Sequence, residues 1–403
     1  MFPKSAIGLA LLIPLIAGNP VPPVAGLTVH EWGTFTSIAD ESGSPMYWNS
    51  LTAPSDLPCF VNRLPVPQCV KCGGNTVRME TPVLYFYSPK PATVSVQVDF
   101  PKGLITEWYP KAVSVLASDV LPVGLTYGTG GRIDWGRVEI GATGAGEFPN
   151  DGSPSHYYAA RETDSAALRV NGQEEKLLFY RGVAVEGVFL EPRWVRGDRL
   201  ELHRAGLNNI PFAVLFENRD GQTGYRVIRD LNSPVTLDMP ELTADVTAVH
   251  KELGAALTAA GLYPKEAAAM IETWRDSWFE EGMRVFYLVP RANVDAMLPL
   301  KINPAPATTE RVFVGRVELL SPHLRQTIRM ALAANDIPAL AKCGRFLEPF
   351  LNQLNPLFVS PAARSFVRQA LAKAAQAGAA PCKTEPFTVP TGGGAGAEDQ
   401  PLQ

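Results

Sequence analysis

From about residue 27 to residue 240 the apolar positions recur with a period of two. The runs VLYFY (83–87), TVSVQVDF (93–100), KLLFYRGV (176–183) and AVLFEN (213–218) are short and rich in β-branched and aromatic residues. Ser88-Pro89, Pro101-Lys102-Gly103, Asn171-Gly172 and Asp220-Gly221 punctuate them as turn signals. Val94, Val96 and Val98 alternate with Ser95, Gln97 and Asp99, the pattern of an antiparallel strand with one wet face. Asn171-Gly172 predicts a hairpin, because both residues tolerate positive φ. Many short strands between regular turns predict a β-sandwich.

Near Thr243 the period changes. Val246, Val249, Leu253 and Leu257 recur at helical spacing, and Gly261 stands where a C-terminal cap belongs. Pro264 opens a second helix, whose stripe is Ala267, Ile271, Trp274 and Trp278. MRVFYLVP and ERVFVGRVELL then read as two strands that can pair beside the helical hairpin. Ser321-Pro322 and Ser360-Pro361 each place an N-cap before a proline, predicting helices over about 322–334 and 361–377. The predicted class is α+β. Its parts are a signal peptide at 1–26, a β-rich sandwich-like domain at 27–240 and an α+β unit of helical hairpin and strands at 241–320. A C-terminal helical region at 321–385 and a Gly-rich disordered tail at 386–403 complete it.

Composition narrows the setting. The 36 prolines and 34 glycines fit a turn-rich chain, and a formal charge of −4 gives no basic footprint for nucleic acid. Lys4 followed by the apolar run Ser5 to Gly18 reads as a secretory leader, too short to span a bilayer. Ala17 and Val24-Ala25-Gly26 offer alternative cleavage points. The expected location is secreted or periplasmic, with no transmembrane span after cleavage. Cys59, Cys69 and Cys72 cluster in one Pro-rich stretch, while Cys343 and Cys382 flank the C-terminal helices. In an oxidising compartment the simplest pairing is one disulfide within the first cluster and one joining Cys343 to Cys382, although spacing leaves the connectivity open.

Candidate chemistry begins at VHEWGTF, which sets His30, Glu31 and Trp32 side by side. On a strand His30 and Trp32 point one way and Glu31 the other, so one ion cannot readily take both His30 and Glu31. A zinc site can still combine His30 with His156 and a carboxylate such as Glu107 or Asp134. The segment HYYAARETD presents His156, Tyr157, Tyr158 and Arg161, and aromatic faces with an Arg fork suit sugars or carboxylates. Glu272 and Asp276 share a helix face and allow an acid–base pair, against the plainer reading of solvated surface. Arg78 and Glu80, two residues apart on a strand, read as a surface ion pair of structural value. Tyr180 and Arg181 face opposite ways and read as structural too. The sequence contains no HExxH, GxSxG or Walker loop.

At VHEWGTFTSI, RMETPVLYFYSP, ITEWYPKA, HYYAARETD and TWRDSWFEEGMRVFYLVPRANVDAMLPLKI the chain resembles a group of predicted exported bacterial proteins of unknown function. The resemblance runs from about 28 to 320 and implies no activity, cofactor or catalytic residue. The leading expectation is therefore non-catalytic binding of a carbohydrate, peptide or envelope component through aromatic and Arg-bearing loops. The alternatives are a metal-assisted hydrolase using His30, His156 and a carboxylate, and a structural or assembly protein of the envelope.

Overall fold

Sixteen residues of alternating side chains, Val24–Ala39, form one long strand with neighbours on both edges and cover on both faces. The computed structural model describes residues 22–48, 56–64, 76–116, 130–143, 146–195, 198–354 and 365–366. The leader run, Cys69, Cys72, Cys382, most of the helix expected over 361–377 and the Gly-rich tail lie outside them. In chain order the first strands are β1 (Val24–Ala39), β2 (Asn62–Arg63), β3 (Val77–Tyr87), β4 (Ala92–Phe100), β5 (Gly103–Tyr109), β6 (Ser114–Leu116), β7 (Gly131–Thr143), β8 (Ala166–Val170) and β9 (Gln173–Glu175). There follow β10 (Leu178–Ala184), β11 (Leu190–Val195), β12 (Arg199–Arg204), β13 (Ile210–Arg219), β14 (Gln222–Leu231), β15 (Val235–Leu237), β16 (Gly282–Val289), β17 (Leu300–Asn303) and β18 (Pro306–Leu319). The helices are α1 (Val246–Ala259), α2 (Pro264–Trp278), α3 (Arg291–Met297), α4 (Pro322–Ala334), α5 (Ile337–Ala341) and α6 (Leu347–Gln353). Two 3₁₀ turns, His156–Arg161 and Gly344–Phe346, complete the described elements.

The largest sheet has nine strands in the order β14-β13-β16-β18-β1-β3-β10-β5-β2. β1 runs parallel to β18, and the other pairings in that sheet are antiparallel. A six-stranded sheet contains β17-β4-β7-β8-β9, with β6 paired to β7, and β11-β12-β15 form a third. The fold is α+β with a β-rich N-terminal part. β16 and β18 pair as their sequences suggest, but they do so inside the large sheet, between β13 and β1. The helical hairpin therefore shares a sheet with the N-terminal strands and has no small sheet of its own.

Alternation places one apolar set on each face. Leu84, Phe86, Met79, Val285 and Val317 of the large sheet pack against Val94, Val96, Val98, Trp135 and Leu168 of the six-stranded sheet. Two sheets thus enclose the larger core, as in a sandwich. On the other face Trp32, Val83, Tyr85, Phe216, Phe286 and Val314 meet Val249, Leu253, Leu257, Met270, Trp274 and Trp278 of α1 and α2. A third cluster joins Ile38 and Leu320 at the end of the sheet to Leu324, Ile328, Leu340, Phe346 and Phe350 of the C-terminal helices.

Local signals account for most boundaries. Asn171 (φ 48°) and Gly172 (φ 80°) make the β8–β9 turn with both central residues left-handed. Asp245 caps α1 by accepting from the Thr247 N–H, and Ser321 caps α4 by accepting from Leu324. Trp274 and Trp278 stack at i and i+4, with centroids 6.4 Å apart. β1 already pairs with β18 at Val24, so of the two expected cleavage points only Ala17 lies ahead of the first paired residue. Among the described residues no helix is long and apolar enough to cross a membrane.

Cys59 is disulfide-bonded, with its partner outside the described residues. Cys343 is a free, buried thiol, pushed up to about 12 by burial and by the nearby Glu281 and Glu280. The expected Cys343–Cys382 bridge is therefore not formed, because the Cys343 side chain turns into the C-terminal helical core.

Opposite Gly315 on β16 stands Tyr287, whose ring covers the glycine; a Cβ at 315 would lie 2.1 Å from ring carbons. Gly315→Ala should cost about 1–3 kcal/mol through overpacking, read as a lower denaturation midpoint at unchanged slope.

Candidate functional site

Strand alternation sends His30 and Trp32 toward α2 and Glu31 toward the six-stranded sheet. His30 Nδ1 lies 2.7 Å from Glu266 Oε2, while the Tyr87 hydroxyl donates to Glu266 Oε1 at 2.8 Å. The Tyr263 N–H donates to Glu266 Oε2 at 2.7 Å, so Glu266 also closes the capping box at the start of α2. Burial and the adjacent Glu266 carboxylate push the Tyr87 phenol well up. Trp32 is fully buried in the core beneath α1 and α2. On the other face Glu31 accepts from the Tyr180 hydroxyl and from Arg311 Nε, each at 2.5 Å. His30 and Glu31 thus each have committed partners on opposite sides of one strand.

The segment expected to grip a ligand is otherwise engaged. His156–Arg161 is a 3₁₀ turn, with Tyr157 buried and its hydroxyl donating to Glu175 at 3.0 Å. Arg161 makes a two-pronged contact with the same Glu175, through Nε at 2.8 Å and Nη2 at 2.5 Å. Its guanidinium lies beside Phe60, Phe148, Tyr157 and Tyr158. The Arg fork and aromatic faces recognise a carboxylate as their chemistry implies, but that carboxylate belongs to the protein.

His156 sits at the surface between two acids. Nε2 lies 2.8 Å from Asp276 Oδ2 and Nδ1 lies 3.4 Å from Asp56 Oδ2. The hydrogen bond to Asp56 raises the imidazole pKa against partial burial. His30 and His156 are therefore given different partners. Glu107 stands opposite Arg181 across β5 and β10 and accepts from Thr106; Asp134 accepts from the Gly136 N–H at 2.7 Å. Among the described residues no group of three or more His, Cys, Asp and Glu side chains is placed to hold a metal ion.

The feature that burial reveals lies between the two helical layers. Along β1 the helix-side positions are Trp32, Thr34, Thr36 and Ile38; along β18 they are Val312, Val314, Arg316, Glu318 and Leu320. The apolar ends sit under α1–α2 and under α4–α6 respectively. The polar middle falls in the seam. Pairing extends it sideways: Thr36 lies between Arg316 and Arg78, Thr34 pairs with Glu80, and Glu318 pairs with Arg284.

Arg78 and Glu80 were the expected surface pair, and both are buried. Helices closing on that face remove them from water, an effect of distant chain that no local spacing encodes. Burial pushes the Glu80 carboxyl up, but Arg345, Arg78, Arg316 and Arg181 together hold it down at about 2. Arg345 Nη1 donates to Glu80 at 2.7 Å. Burial and the nearby Arg181 lower Arg78 to about 10. Glu318 Oε1 accepts from Arg284 Nε at 2.8 Å and from Arg316 Nε at 2.5 Å. Arg284 also donates to the carbonyls of Trp278, Glu280 and Glu281, which places a cation at the C-terminal end of α2. Arg316 and Arg345 both lie over the Phe346 ring, at 5.2 and 4.9 Å from its centroid.

Several polar atoms of this belt have no hydrogen-bond partner among the described residues. They are Arg181 Nε, Arg316 Nη1, Arg345 Nη2, Thr34 Oγ1 and Thr36 Oγ1. The arginines and threonines of the belt were not singled out as a site from sequence. The available signal was polar residues at 34, 36, 78, 80, 316 and 318 in strands that are otherwise apolar on that face.

No family model matches this sequence, and no curated protein matches it either.

Glu80 gives a pH test. Its folded pKa is depressed below the ordinary glutamate value of about 4.3, so its stabilisation is present above that value and is lost as pH falls toward 2. Glu80→Gln should cost about 3 kcal/mol near neutrality, because it strips a buried partner from the arginines. Denaturation across a pH series should show that difference shrinking between about pH 4.5 and 2; a gap constant with pH would contradict the assignment.

Proposed function

We propose that this chain is an exported, secreted or periplasmic, non-catalytic binding protein whose ligand is a carbohydrate, peptide or other envelope component. The supporting observation is the belt of donors along the seam between α1–α2 and α4–α6 that have no partner among the described residues. Buried polar atoms are nearly always hydrogen-bonded, and several without partners on one sheet face call for a further group. Tyr157 and Arg161 are engaged by Glu175, and the binding role falls to Thr34, Thr36, Arg316 and Arg345. Glu280 and Arg345 are the partly exposed members, with side chains 34% and 17% accessible, and they mark the side from which a ligand would enter.

The test is a screen of the mature chain against glycan and peptide arrays, followed by calorimetry on each hit. The expected result is at least one saturable ligand whose affinity falls about tenfold or more in Arg345→Gln, as expected for a lost charge-assisted hydrogen bond. A screen without a saturable ligand, or hits insensitive to Arg345, would count against the reading.

A further inference from the structure

The unpartnered atoms of the belt share one chemical property. Guanidinium nitrogens only donate, and threonine hydroxyls can donate, so the group they would receive is an acceptor. The setting is cationic as well as rich in donors: Arg78, Arg181, Arg284 and Arg316 are each at most 5% exposed, and Arg345 joins them from the margin. Glu80 and Glu318 face them from the interior, and the partly exposed Glu280 accepts from Arg316 Nη2 at 2.8 Å.

Register places the unused donors together. Thr36 is the neighbour of Arg316 on one side and Arg78 on the other, while Thr34 neighbours Glu80. Glu80 is held by Arg345, whose guanidinium shares the Phe346 ring with Arg316. Arg316 Nη1, Arg345 Nη2 and the two hydroxyls, which have no partner among the described residues, therefore belong to the same stretch of sheet. A cation has no place there: the acids are already committed, Glu318 to two arginines and Glu80 to Arg345.

We infer that the seam is a binding site for an oxyanion group, a carboxylate or a phosphoryl, held by Arg316, Arg345, Thr34 and Thr36. This inference rests on the binding reading above and names the chemistry that the site selects. The flat, two-pronged guanidinium suits either oxyanion, and the hydroxyls supply further donors at the sheet surface.

The experiment titrates the full mature chain with inorganic phosphate, with a free hexuronic acid and with neutral glucose, each at matched ionic strength set by sodium chloride. Binding is read by calorimetry and by the shift in melting temperature. Phosphate or the uronate should bind saturably, and the better of the two identifies the phosphoryl or the carboxylate source; glucose and chloride should give no saturable response. Thr36→Val, which keeps shape and removes only the hydroxyl, and Arg345→Gln should each weaken binding about tenfold while leaving the circular dichroism spectrum unchanged. Arg316→Gln is the stronger change, and the two milder variants keep the test valid if it fails to fold. No saturable response to either oxyanion, or affinities unchanged in both Thr36→Val and Arg345→Gln, would overturn the oxyanion site. If an array hit is neutral and still depends on Arg345, the oxyanion assignment fails while the binding reading stands.

Discussion

The structure depends on one constraint: β1 and β18 run side by side in the middle of a sheet covered on both faces. Over residues 29–39 and 311–319 both strands are buried, so a polar side chain there needs a partner other than bulk water. On the six-stranded-sheet side that answer is Glu31, which joins Arg311 of β18 to Tyr180 of β10. On the helix side His30 is answered by Glu266, brought to it by the start of α2. These contacts tie residues 149 to 280 positions apart in the chain, so β1 joins the middle and the C-terminal part of the chain in one sheet.

The same constraint makes the seam unusual. Where the sheet runs under helices its side chains are apolar, and where it passes between them its side chains are Thr, Arg and Glu. Here buried arginine outnumbers buried glutamate, Glu280 at the margin accepts from Arg316 Nη2 at 2.8 Å, and several guanidinium and hydroxyl groups have no partner among the described residues. Arg284 shows the alternative, since its contacts to Glu318 and three carbonyls engage all three of its nitrogens. Arg316 and Arg345 are held firmly enough to be positioned and still have a donor to spare, the arrangement expected of a preorganised site.

Local chemistry was readable in the chain wherever it had a local cause. The alternation of Val94, Val96 and Val98 gave a strand, Asn171-Gly172 gave its hairpin, and Ser321-Pro322 gave the start of α4 where it is found. The opposed directions of His30 and Glu31 followed from strand geometry alone. What was not readable depended on distant chain. Arg78 and Glu80 look like surface charges until the C-terminal helices close over them. Arg161 looks available until the β8–β9 hairpin brings Glu175 against it. His30 and His156 are not brought together for the same reason: His30 meets Glu266 and His156 meets Asp276, both carried by α2, contacts that spacing does not announce.

Whether the seam holds an oxyanion decides its role. The most direct measurement is anomalous diffraction from crystals of the mature chain grown without phosphate or sulfate and soaked with selenate, a heavier tetrahedral oxyanion. A selenium peak within hydrogen-bonding distance of the Arg316 guanidinium and the Thr36 hydroxyl is the result the account predicts. A seam filled by water or by the protein's own side chains, with no peak there, would contradict it.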